Sequence, residues 1–111
     1  MIQLAPLAHE ICRRFLLEFP EDRERYGDAA LAWCVHDNQW LLGWAAEDLV
    51  LGGKHFADNV RWLARVLRAR DYPTARLVRD LELAAEVVGN EGEAHREVAA
   101  KLRQGADLLR R

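Results

Sequence analysis

The chain has 111 residues, half of them apolar and about a third charged, a balance that fits one folded domain and excludes a disordered tail. Sixteen basic against eighteen acidic side chains leave a formal charge of −2. That disfavours a nucleic-acid partner, because a phosphate-binding domain is normally clearly basic. The longest apolar stretch, Trp40–Ala46, is far too short to cross a bilayer, so a cytoplasmic protein without a membrane partner is expected.

Ala, Leu, Arg and Glu dominate, all strong helix formers. Apart from valine, the β-branched residues are only Ile2, Ile11 and Thr74, which argues against a sheet. The composition predicts an all-α fold, a compact bundle of four to five helices over residues 1–111. Short loops would make consecutive helices antiparallel neighbours.

In chain order, Pro6 suits the first turn of an opening helix. Leu7, Ile11 and Phe15 then form an apolar stripe toward Phe19. Phe19-Pro20 ends that helix, since the residue before proline is pushed out of the α region. Glu21–Tyr26 has room for a short helical turn, and Gly27-Asp28 supplies a break and an N-cap. From Asp28 to Leu51 the pattern is helical and apolar on more than one side. Trp33, Trp40 and Trp44 share one stripe, while Leu31, Val35, Leu42 and Leu49 share another. Such a helix is expected at the centre, buried by neighbours on several sides, with Gly43 allowing a close approach. Gly52-Gly53 stops it. A third main helix runs from Lys54 or His55 to Arg70, with Phe56, Val60, Leu63 and Leu67 inward, Trp62 and Val66 beside them, and Arg61, Arg65 and Arg68 outward. After the turn at Asp71–Thr74, Leu77, Leu81, Ala84 and Val88 mark a helix ending at Gly89-Asn90. A last helix spans Glu91 to Leu109.

Catalytic patterns are not found. The glycines read as helix stops, and His9, His36, His55 and His95 form no HxxxH or HExxH pair. His36 and His55 are the imidazoles placed to ligate a haem iron. Cys12 and Cys34, 22 residues apart and without a CxxC pair, are expected to be reduced and mostly buried. Asp37 and Asp48 lie in the apolar central helix, where a carboxylate needs a partner. Asp37, on the tryptophan stripe, is expected to meet an arginine or an indole N–H. The tryptophans themselves can form core, an interface rich in anchors, or a pocket for a flat ligand. The arginine row, diluted by Asp58, Asp71 and Asp80, reads as a solvated or interacting face.

Several short motifs occur in order: Tyr26-Gly27, Cys34-Val35-His36-Asp37, Gly52-Gly53, Phe56, Val60-Arg61-Trp62 and Arg70-Asp71-Tyr72-Pro73, followed by a helix carrying Leu77 and Leu81. With these the stretch 26–88 resembles the helical segment that precedes the cobalamin-binding domain in some bacterial regulatory proteins. The binding domain's Asp-x-His-x-x-Gly is not in this chain, and Leu41 stands where that family tends to have histidine. The resemblance implies a stand-alone sensory or regulatory module, dimeric and without cobalamin of its own.

Two functional expectations follow. The first is a non-enzymatic module acting through protein–protein contact as a homodimer, with no cofactor and with Arg61, Arg65 and Arg68 as an interaction face. The second is a ligand sensor holding a tetrapyrrole (haem or cobalamin) or another flat aromatic molecule, with Trp33, Asp37, Trp40, Trp44, His55 and Trp62 as candidate binding residues.

Overall fold

Helix propensity and apolar spacing set the elements of the computed structural model, which describes residues 3–52 and 55–111. Its α-helices are α1 (Leu4–Glu18), α2 (Pro20–Tyr26), α3 (Ala29–Leu51), α4 (His55–Ala69), α5 (Thr74–Gly89) and α6 (Arg96–Arg110), with a 3-10 turn at Glu93–His95 before the last. Among the described residues no strand occurs, so the chain is an all-α bundle, as its composition predicts. Among the described residues six helices replace the expected four to five because 20–26 forms a helix of its own. Pro20 stands in its first turn, with Glu21 and Asp22 there and Arg23 and Arg25 in the last, the order the helix dipole favours. The final helix divides because the chain takes the 3-10 turn before α6 begins. Gly53 and Lys54, expected at the α3–α4 junction, lie outside the described residues.

The core is drawn from every main helix: Ile11 of α1, Leu41 and Leu42 of α3, Val60 of α4, Leu81 and Val88 of α5 and Leu102 of α6 are almost wholly buried. The central element is α5, which buries residues on most sides and packs against α6 and α1. This corrects the expected position of α3. That helix meets α1, α2, α4 and α6, but buries one face only, Ala30, Asn38, Leu41, Leu42, Ala45 and Asp48. Trp33 and Trp40 are 60% and 53% exposed, because α4 touches α3 and α5 sparsely. Nor does Gly43 sit at a close approach: a Cβ there would meet only Leu4 Cδ1, at 3.9 Å. The tight place is Gly105 of α6, where a Cβ would lie 2.9 Å from Cε2 of Phe56.

Polar links fix the helix ends and seams. Asp48, near the end of α3, accepts from the backbone N–H groups of His55 and Phe56 at 3.1 and 3.5 Å and pairs with Lys101 Nζ at 2.6 Å. One carboxylate thus caps α4 and ties it to α6, and Lys101 holds that carboxyl below the usual range. Asp28 takes the N-cap position of α3 but makes no side-chain capping bond. Arg79 of α5 reaches Glu18 of α1 with two bonds, at 2.6 and 3.1 Å. Cys12 and Cys34 are joined as a disulfide, their Cα atoms 5.8 Å apart. The expected pair of reduced thiols is corrected: α1 and α3 lie side by side and bring together cysteines far apart in sequence.

Candidate functional site

The gap beside α3 is an open groove of about 810 Å³. All four tryptophans line it: Trp33, Trp40 and Trp44 from one side of α3, and Trp62 from α4. Trp62 is half exposed, like Trp33 and Trp40. The rings of Trp40 and Trp44 lie 5.9 Å apart at a 46° tilt, a favourable aromatic geometry. At the mouth, Trp40 Nε1–H donates to His36 Nε2 at 3.1 Å. Buried apolar lining comes from Phe15 and Leu16 of α1, Leu63 of α4 and Leu77 of α5.

Polar groups interrupt this apolar lining. Asn38, 1% exposed, donates through Nδ2 to Asp80 Oδ1 and to the Cys34 carbonyl, both at 3.0 Å. Two acceptors on that side fix which end of the amide is nitrogen. Nδ2 also lies 3.4 and 3.5 Å from the sulfurs of Cys12 and Cys34. Asn38 Oδ1, on the other side, is buried without a hydrogen-bond partner among the described residues. Burial pushes the Asp80 carboxyl up to about 7; the Asn38 bond opposes the rise and the charge of Asp37 adds to it. Burial also raises the Asp37 carboxyl, against the pull of His36, whose Nδ1 is 3.4 Å away. Beside them Asp22 of α2 accepts from Tyr72 Oη and Arg76 Nη1, both at 2.5 Å. Burial and the Asp22 carboxylate both raise the Tyr72 phenol. Arg76 also donates to Glu21 at 3.1 Å and lies over the ring of Phe19, 4.3 Å from its centroid.

Of the residues singled out in the sequence, Trp33, Asp37, Trp40, Trp44 and Trp62 stand together around this groove. His55 does not. It borders a separate cavity of about 260 Å³ with Glu47, Asp48 and Asn59, which Trp44 also lines. Arg61, Arg65 and Arg68 are exposed on α4; Arg61 lies 3.8 Å from Asp58. The expected partner of Asp37 is corrected: neither an arginine nor an indole bonds it, and its side chain is 40% exposed. Its neighbour Asn38 carries the polar contact across the bundle instead.

Sequence reasoning missed Asn38 and Asp80, the latter having been read as dilution of the arginine row. A signal was present in both cases. Asp80 falls within the stripe Leu77, Leu81, Ala84, and Asn38 within Cys34, Leu41, Leu42, Ala45, so helical spacing puts each on an inward face. Tyr72 and Arg76 are four residues apart, but Asp22 lies 50 and 54 residues before them, and no local spacing links it to the pair.

Among the described residues no group of three or more His, Cys, Asp or Glu is placed to hold a metal ion, and no helix is long and apolar enough to cross a membrane. In comparisons with protein-family models, curated sequences and solved structures, nothing matches this chain.

Proposed function

We propose that the chain is a non-enzymatic sensory or regulatory module that takes a flat, largely apolar small molecule in the groove between α3 and α4. The observation that carries this is the convergence of four indoles on one open space with a buried, unpartnered Asn38 Oδ1 among the residues lining it. A pocket of apolar walls with a few fixed polar groups is the usual form of a small-molecule site. Half-exposed indoles leave apolar area in water that a flat ligand would cover, and stacking adds about 0.5–1.5 kcal/mol for each ring pair. The resemblance of 26–88 to a helical segment of bacterial regulators supports the sensory part. A tetrapyrrole such as haem or cobalamin is less well served: iron ligation by His36 would cost the imidazole its bond from Trp40. A metal-free aromatic molecule requires no such loss.

Tryptophan fluorescence tests the reading. Titration with acridine is expected to quench saturably at one molecule per chain, with affinity weakened about tenfold or more in Trp62→Ala. Linear quenching without saturation, equal in chain and variant, contradicts it.

A second copy of the chain is the other cover that the exposed indoles favour, together with Val50, 84% exposed. That homodimer would act through protein contact, and the exposed face of Arg61, Arg65 and Arg68 remains available to a further partner. Sedimentation would then give twice the chain mass of 12.7 kDa, falling to one chain in Trp33→Ala. A single-chain mass at high concentration removes this second reading.

A further inference from the structure

We infer that the molecule this groove takes is cationic, an aromatic ring system whose charged nitrogen is set against the Asp80 carboxylate and the Asn38 amide oxygen. The inference rests on the reading of the groove as a ligand site and names the chemical class that site selects. Both groups line the groove, and both are more than nine-tenths buried. Each offers an acceptor within the groove's lining, Asp80 when it is ionised. Asn38 spends its Nδ2 donors on Asp80 Oδ1 and the Cys34 carbonyl, leaving Oδ1 without a donor. Asp80 has the Asn38 amide as its hydrogen-bond partner and no ion-pair partner among the described residues.

The neighbouring cations are committed elsewhere. Arg76, one turn before Asp80 on α5, is held by Asp22 and Glu21, and Arg25 lies over the Tyr26 ring, 5.3 Å from its centroid. Arg70 is exposed in the turn after α4 and exerts the smallest of the pulls on Asp37. Asp37 also lines the groove and adds negative charge to the same region.

A ligand that presented an acceptor or an anion here would bury it against a carboxylate and an amide oxygen, a repulsive arrangement at low dielectric. A cation meets complementary charge, and indole faces attract it further through their π-quadrupoles.

Calorimetric titration near pH 8 with three probes of one ring shape tests the charge: N-methylacridinium, a permanent cation; acridine, neutral there; and acridine-9-carboxylate, an anion. The expected ranking on the native chain is cation over neutral by about tenfold or more, with the anion weakest. Asp80→Asn keeps an acceptor for Asn38 and is expected to erase the advantage of the cation over the neutral ring. Should that variant misfold by circular dichroism, the ranking on the native chain decides alone. Equal binding of cation and neutral ring, tighter binding of the anion, or a preference surviving in folded Asp80→Asn overturns the charge selection and leaves the groove as a ligand site. Binding of none of the three overturns both.

Discussion

Burial of Asp80 favours its neutral form, and the consequence for stability has a definite sign. The folded carboxyl titrates at about 7, the unfolded one at about 3.9. Between these values the unfolded chain has released a proton that the folded chain keeps. Stability contributed by Asp80 therefore falls as pH rises through this window, by on the order of 1 kcal/mol per pH unit, and levels off above it. Asp80→Asn cannot lose that proton. Urea denaturation is expected to give similar stabilities for variant and native chain near pH 4, and a variant more stable by a few kcal/mol near pH 8. Parallel pH profiles for the two would mean that Asp80 is hydrated. Asp48 behaves in the opposite way, since its carboxylate is wanted charged by Lys101 and by the first N–H groups of α4. Asp48→Ala uncaps α4 and strands Lys101, and is expected to cost about 2 kcal/mol. An unchanged denaturation midpoint would count against both contacts. The sequence allows buried carboxylates to be suspected, yet Asp37 was the wrong choice. One position along a helix turns a side chain by about 100°, so Asn38 turns inward to meet Asp80 while Asp37 stays 40% exposed.

At the scale of elements, helix boundaries were legible because proline and glycine set them locally: Pro20 separates α1 from α2, Gly27 and Gly52 lie at positive φ after α2 and α3, and Pro73 precedes α5. Packing was less legible. Small residues allow close approach only where another helix chooses to cross, which is Gly105 and not Gly43. Gly105→Ala gains about 1 kcal/mol of helix propensity. It also pushes a methyl into the buried Phe56 ring, and overpacking costs about 1–3 kcal/mol. The clash is expected to win, with a net loss of about 1 kcal/mol and a melting temperature lower by roughly 4–8 °C. A more stable variant would show that α4 yields freely against α6. The tryptophan stripe illustrates the same limit: spacing put Trp33, Trp40 and Trp44 on one side of α3, but whether that side faces core or open space depends on how far α4 stands off.

For the whole molecule, the all-α class follows from composition, whereas the contacts that join distant segments do not. Cys12–Cys34, Asn38–Asp80 and Asp22–Arg76 each link different helices, and no local pattern couples their members. The disulfide closes a loop of 22 residues, worth about 3 kcal/mol by restriction of the unfolded chain. Cys12→Ser with Cys34→Ser, or treatment with dithiothreitol, is expected to lower the melting temperature by more than about 10 °C. Two thiols titrating in the unreduced, unfolded chain would contradict the bond. What these long-range links build is the groove itself, since α1, α2 and α5 are held beneath and beside the tryptophans of α3 and α4. The most direct measurement of that central claim is a ¹H–¹⁵N correlation spectrum of the labelled chain with added acridine. All four indole N–H signals and the side-chain amide of Asn38 are expected to shift together and saturate at one equivalent. Shifts confined to Arg61, Arg65 and Arg68, or no shift at all, would contradict a ligand-binding groove.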